Sequence, residues 1–144
     1  MPGAVAVLVD TGPLVALFDR DDAHHTRCVE ALKGVRGPLL TVWPVLTEAA
    51  YFLSFSIEAQ ERLWELVERG GLRIADLDAG DIPRIRSLMR KYRDRPMDLA
   101  DAALVRVAER DHLRTVFTLD HEDFRIYRPA PGKAFSLIPD SLAY

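Results

Sequence analysis

Cysteine is nearly absent: Cys28 is alone in 144 residues, so no internal disulfide can form. A reducing cytoplasm fits such a chain, and Cys28 itself reads as a small buried hydrophobe on a helix. Long hydrophobic runs are also lacking. The apolar stretch over residues 1–9 carries no basic flank and stops at Asp10, which argues against a signal peptide and a membrane span. Positive charge is not in excess, with 19 Lys and Arg against 22 Asp and Glu and a formal net charge of −3. The whole molecule is therefore no magnet for nucleic acid, and any polyanion site must be a local patch. Internal repeats and low-complexity tracts are absent as well.

Several chemistries are excluded in the same way. No glycine-rich phosphate loop follows the first apolar run. The order Asp10-Thr11-Gly12 is not the Asp-x-Asp of haloacid dehalogenase-like phosphatases, and the acidic pair and late lysine of a receiver domain are missing. His24, His25, His112 and His121 have no zinc-ligand spacing with Cys28 and read as surface or helix-capping residues. Nothing resembles a Ser-His-Asp or Cys-His nucleophile set.

What is present is an ordinary globular composition, 49% hydrophobic and 28% charged, long enough for one domain over residues 1–144. Short apolar runs over residues 4–9 (AVAVLV), 38–42 (PLLTV), 72–75 and 115–119 (TVFTL) read as strands, with a last one over 135–138 near an edge. Between them lie helical patterns. One starts near Pro13, which suits a first helical position, and runs through Phe18. Another is capped by Asp22. A third carries Val45, Ala49, Phe52 and Leu53 on its apolar spacing, with Glu48 inside it. Ser56 caps a fourth, with Leu63, Leu66 and Val67 on its apolar side, and Gly70-Gly71 stops it. Ile82, Ile85, Leu88, Met89 and Tyr92 mark a fifth, and residues 98–111 form an alanine-rich sixth. Strands alternating with helices specify an α/β fold with a mostly parallel central sheet flanked by helices.

In such a sheet, ligands bind at the carboxyl ends of the strands. Asp10 and Asp120 each end a strand, Asp98 and Asp101 open the alanine-rich helix, and Glu48 sits early in another. Singly, each has a structural explanation. Asp98 is a good N-cap, Asp101 a first-turn acid, Asp10 and Asp120 fit Asx turns, and Glu48 fits a solvated helix position. Those explanations do not account for the set. Carboxylates repel, and a fold that gathers several gains most from a hard divalent cation.

Four segments in order carry a family resemblance. Val9-Asp10-Thr11-Gly12-Pro13-Leu14 is similar to the opening of PIN-domain proteins, and residues 44–53 (PVLTEAAYFL) resemble their second acidic motif through Glu48. Residues 97–103 (MDLADAA) resemble the third, with Asp101 matching the family acid and Asp98 an extra one. Residues 118–124 (TLDHEDF) resemble the fourth, with Asp120 the match and Thr118 and Asp123 nearby. The compact size resembles the VapC-type toxins of bacterial toxin–antitoxin pairs. The resemblance implies a PIN-like three-layer fold and a ribonuclease dependent on Mg²⁺ or Mn²⁺. It implies Asp10 and Asp101 as first-choice ligands, with Asp98 the alternative to Asp101 as third acid, and Glu48 and Asp120 orienting metal waters or holding a second ion. Thr11 and Thr118 would donate hydrogen bonds to a phosphate or to those waters, or else serve as simple turn residues.

Substrate needs positive charge beside these acids. Arg84, Arg86, Arg90, Lys91, Arg93 and Arg95 crowd one stretch, which is either a solvated face or a phosphate track, with Arg90 and Arg93 the chosen contacts. Tyr51, Phe52, Leu53, Phe55, Leu63 and Trp64 exceed what one core-facing stripe requires. With the resemblance, they suggest a homodimer that binds a small antitoxin. Two other functions stay open: an RNA-processing PIN nuclease outside any toxin pair, and a PIN-like RNA- or protein-binding module without turnover.

Overall fold

The computed structural model describes residues 5–140. Ala4, the expected start of the first strand, and both ends of the span 1–144 lie outside them. Five strands form one sheet: β1 (Val7–Val9), β2 (Leu39–Thr41), β3 (Arg73–Ile74), β4 (Thr115–Phe117) and β5 (Ser136–Ile138). Their order is β3-β2-β1-β4-β5, and every pairing is parallel. Leu8 stands opposite Leu40 on one side and Val116 on the other. From β1 the chain winds outward through β2 and β3, then returns to the other side of β1 for β4 and β5. The winding therefore reverses at the β1–β4 pair, where an open parallel sheet leaves a crevice at its carboxyl ends.

Seven helices flank the sheet among the described residues: α1 (Thr11–Phe18), α2 (His25–Lys33), α3 (Trp43–Phe52), α4 (Ile57–Glu68), α5 (Ile82–Lys91), α6 (Leu99–Asp111) and α7 (His121–Ile126). The strands are shorter than the apolar runs because each run continues into the next turn. Val42, for example, is already the N-cap residue of α3. Ser56 caps α4 by accepting the Ala59 N–H at 3.1 Å, as its position requires. Asp22 does not cap α2. It accepts the His24 N–H in a turn, and the helix starts three residues later at His25. Pro13 sits inside the first turn of α1, where the N–H groups have no helical acceptor anyway. His112 adopts a left-handed conformation, φ 58°, and closes α6.

Helix α6 is the centre of the molecule. Ala102, Ala103, Leu104, Val105, Val107 and Ala108 are all fully buried, and the small residues let neighbours approach on several sides. Two ion-pair clusters fix its far end. Glu109 accepts from Arg84 Nε and Nη2 at 2.8 and 2.6 Å, and from the Ala130 N–H at 2.9 Å. Burial pushes Glu109 up, but Arg84 and the Ala130 amide outweigh it and hold the carboxyl below its usual range. Asp81 accepts from the Asp78 N–H, Arg106 Nε and Arg110 Nη1, and the Asp78 amide and Arg106 hold it low in the same sense. Through these contacts the turn before α5, α5 itself and the loop at Ala130 are pinned to the helix whose first turn carries Asp101.

Removing one partner of such a bidentate pair strands the other. Glu109→Ala is therefore expected to lower unfolding free energy by about 2 kcal/mol, since Arg84 retains some access to water. Urea unfolding at unchanged m-value measures this, and a loss below about 0.5 kcal/mol would remove the cluster from the account.

Candidate metal centre

Backbone and side chain together fix Asp10 at the exit of β1. Its N–H donates to the Phe117 carbonyl at 2.9 Å, extending the β1–β4 pairing by one residue. Its Oδ2 accepts from the Thr118 hydroxyl at 2.8 Å. Thr41, at the end of β2, donates to the Val9 carbonyl at 2.8 Å and steadies the same corner. Gly12 allows a close approach here, because a Cβ at that position would lie 3.2 Å from Leu119 Cδ1 and the leucine side chain would have to give way. Without a side chain, the start of α1 seats against the segment that leads to Asp120.

Asp120 does not end its strand. β4 stops at Phe117, Thr118 and Leu119 turn the chain, and Asp120 caps α7 by accepting the Asp123 N–H at 3.2 Å. That helix is six residues long, and the sequence pattern does not predict it. Asp98 is the N-cap of α6, accepting the Asp101 N–H at 2.8 Å. Both oxygens of Asp101 remain available to side chains, and Oδ2 accepts from the Tyr127 hydroxyl at 3.0 Å. Glu48, on α3, accepts from the Thr11 hydroxyl at 2.6 Å.

These elements converge on one cleft of about 690 Å³, lined among others by Asp10, Thr11, Asp22, Glu48, Phe52, Arg95, Asp98, Asp101, Asp120 and Asp123. Seven carboxylates thus face a single cation, Arg95, among the described lining residues. Arg95 donates to Asp123 Oδ1 at 3.1 Å. A cavity elsewhere, lined by Val5, Val7, Val35 and Ile138, is mainly apolar and holds no such cluster.

The electrostatics show the crowding. Burial pushes Asp10 up to about 6, with Asp120 and Asp98 adding to it and the Thr11 amide and Thr118 hydroxyl partly offsetting it. Burial and then the charges of Asp10 and Asp98 push Asp101 up to about 8. Burial also raises Asp120. The ligand chemistry suits a hard divalent ion: all donors are carboxylate oxygens, with no imidazole or thiol in the lining. One oxygen each from Asp101, Asp120 and Asp123 lie within 4.8 Å of one another. This oxygen group of the described residues contains Asp123, which the acidic motifs mark only as a neighbour of Asp120, and it does not include Asp10.

Other expected site residues stand differently. Thr118 is fully buried; it donates to Asp10 and accepts the Asp120 N–H at 3.0 Å. It lies under the cleft and holds two acids in place. Arg90 and Arg93 are outside the lining, and Arg84 is bound to Glu109, so the basic run is not one continuous track. Arg95 is the member that reaches the acids, and its signal is its place three residues before Asp98. Phe52, expected on the apolar stripe of α3, is exposed at 56% and lines the cleft instead. No helix of the described residues is long and apolar enough to cross a membrane.

Comparison with known proteins finds a family match in sequence and a fold match in structure. A family model described as PIN domain matches residues 7–128. Ribonuclease VapC26 of Mycobacterium tuberculosis is 30% identical over 135 residues, covering 92% of this chain and 100% of that protein. Among solved structures, M. tuberculosis VapC20, described as a sarcin-ricin loop cleaving toxin, superposes with a TM-score of 0.74 at 18% identity, over 81% of this chain and 91% of the other. A toxin–antitoxin complex from Klebsiella pneumoniae gives 0.65 at 19% identity, over 82% and 89%. VapBC2 of Rickettsia felis, bound to a DNA fragment from its promoter, gives 0.59 at 17%, over 92% and 98%.

The raised carboxyls predict a pH dependence. Asp10 and Asp101 keep their protons to higher pH folded than unfolded. The stability this contributes is complete below the ordinary carboxylate range, about pH 4, and is lost as pH rises through about 6 and then 8. Burial lowers His121, which gives the opposite slope only below the usual histidine range. Between about pH 7 and 8 the Asp101 contribution stands clear, before the buried Cys28 thiol, raised to about 11, adds a fall of its own. In chelator, wild-type stability should fall between about pH 7 and 8, and Asp101→Asn should remove most of that fall. Parallel slopes for the two proteins in thermal melts would contradict the assignment.

Proposed function

Since the chain belongs to the PIN-domain family, we propose that it is a metal-dependent endoribonuclease, the toxin of a type II toxin–antitoxin pair. It would hydrolyse RNA phosphodiester bonds with Mg²⁺ or Mn²⁺. The observation that carries this reading is the cleft itself, in which seven carboxylates oppose one guanidinium. No polyanion approaches such a surface unless cations intervene, and a buried acid cluster cannot stay fully charged at neutral pH without them. Its similarity to a protein named ribonuclease VapC26 supports RNA as the polyanion.

Asp101, Asp120 and Asp123 would hold the ion, with Asp10 beside them and Asp98 at the rim. When bound, such an ion lowers the pKa of a water and neutralises charge on the scissile phosphate. Glu48, fixed through Oε1 by Thr11, would use Oε2 to orient the attacking water and take its proton. Arg95 would leave Asp123 to contact a non-bridging phosphate oxygen. Phe52 at the mouth offers a face on which an unpaired base can stack. Arg90 and Arg93 would touch phosphates outside the cleft and contribute mainly salt-dependent affinity.

The partner we assign is a small antitoxin, the kind of assembly that the K. pneumoniae and R. felis relatives form, and the compartment is the cytoplasm. Of the residues read as exceeding one core-facing stripe, Leu53 and Leu63 are fully buried and belong to the core, whereas Tyr51, Phe52 and Phe55, with Ile57, are exposed by more than half from the end of α3 to the start of α4. Such a patch is unusual on a free surface. It can seat an antitoxin segment and a second copy of the chain in a homodimer.

Two substitutions test the catalytic reading. Asp101→Asn should lower kcat/KM for Mn²⁺-dependent RNA cleavage by at least about 10³-fold, about 4 kcal/mol of transition-state stabilisation, in a protein that stays folded. Arg95→Ala should raise KM more than it lowers kcat. Full cleavage by Asp101→Asn, or no metal-dependent cleavage by wild type, would overturn the reading.

A further inference from the structure

The hydroxyl of Tyr127 has no packing role that phenylalanine could not fill. The ring is fully buried and stands edge-on to Tyr92 and Phe124, with centroids 5.0 and 5.2 Å away. The backbone around it is tied down at three points: Tyr127 N–H to the Asp123 carbonyl, Arg128 N–H to the Tyr92 hydroxyl, and Ala130 N–H to Glu109. A buried tyrosine hydroxyl needs a partner, and the one it has is Asp101 Oδ2 at 3.0 Å. Among the described residues it is also the one side-chain hydrogen-bond donor to that carboxylate.

We propose that Tyr127 is a positioning residue for Asp101: by engaging Oδ2, it fixes the carboxylate plane and leaves Oδ1 as the oxygen offered to the cation. The need for such a fixture follows from the crowd. Asp101 is half-buried among Asp10, Asp98 and Asp120, whose charges would drive a free carboxylate to rotate away towards solvent. A neutral donor, held in the core on the protein side, opposes that rotation without occupying the metal side. A lysine or arginine there would neutralise the acid and compete with the ion. The fixture comes from outside the four acidic segments, on the stretch that follows α7. It reaches Asp101 because α7 folds Tyr127 back towards α6.

This inference rests on the reading of the cleft as a metal centre. Groups that orient a ligand from behind typically change metal affinity or activity by about 10- to 100-fold when removed. Tyr127→Phe retains the ring and loses only the hydroxyl. Tyr92→Phe is the control, because it removes the neighbouring hydroxyl, which serves the Arg128 amide and not the acid.

Two readouts are compared for wild type and both variants: the Mn²⁺ concentration giving half of the metal-induced rise in Tm, and the Mn²⁺ dependence of RNA cleavage. Tyr127→Phe should shift both half-saturation points upward about tenfold and leave KM for RNA within about twofold. Excess Mn²⁺ should restore much of kcat. Tyr92→Phe should lower Tm in chelator and leave both half-saturation points in place. A Tyr127→Phe protein whose metal dependence matches wild type, or moves no further than that of Tyr92→Phe, overturns the inference while the metal centre stands. Wild type with no Tm response to Mn²⁺ overturns the metal centre and this inference with it.

Discussion

Asp10 and Asp101 lie close enough for the charge of one to raise the cost of charging the other, and Asp98 and Asp120 add to the charge around both. Burial makes each of these charges more expensive still. Left to itself, a chain with these acids would turn them outward and let water separate them. Most of the local architecture can be understood as preventing that. Asp10 is held by the Phe117 carbonyl through its backbone and by Thr118 through its side chain. Glu48 is held by Thr11, and Asp101 by Tyr127. Each side-chain restraint uses a neutral hydroxyl, which fixes an acid without cancelling its charge. The net effect is a preorganised acidic cleft whose repulsion is relieved by held protons or, at full charge, by a cation.

Preorganisation of this kind needs a stiff scaffold. The β1–β4 pair supplies one side, since every strand is parallel and the winding reverses there. Helix α6 supplies the other. It is buried on several sides by alanines and valines, and Glu109 and Asp81 anchor its far end to Arg84, Arg106 and Arg110. Cations are thus used fully where they stabilise structure and are nearly excluded where the acids gather. Arg95 is the exception, placed at the rim and paired with Asp123. The exposed aromatics lie on α3 and the turn after it, apart from the buried faces of α6.

Much of this is legible in the residues themselves. An unbroken apolar run ending at Asp10 specifies a strand buried on both faces, with its acid at the carboxyl end. The alanine-rich helix after Asp98 is marked by its cap and its small residues, and Ser56 is marked by its place ahead of an amphipathic run. What local pattern hides has physical reasons. Helix α7, with only HEDFRI, is too short to show a period. Phe52 shares its spacing with core residues, and spacing alone cannot tell a core face from the wall of a cleft. The partners of Glu109 and of Tyr127 lie 21 to 26 positions away, and such pairings follow from topology rather than local pattern. The fourth acidic segment carries Asp120 and Asp123, but nothing in its order says which would stand nearest Asp101.

The claim at the centre is that the acids are gathered for a divalent ion. Anomalous diffraction from crystals grown with Mn²⁺ tests it most directly, because the signal locates the metal without reference to activity. The account predicts a peak within bonding distance of an Asp101 carboxylate oxygen and of at least one further acid among Asp10, Asp120 and Asp123. A cleft without signal at saturating Mn²⁺, or a peak held only by carboxylates outside it, would contradict the account.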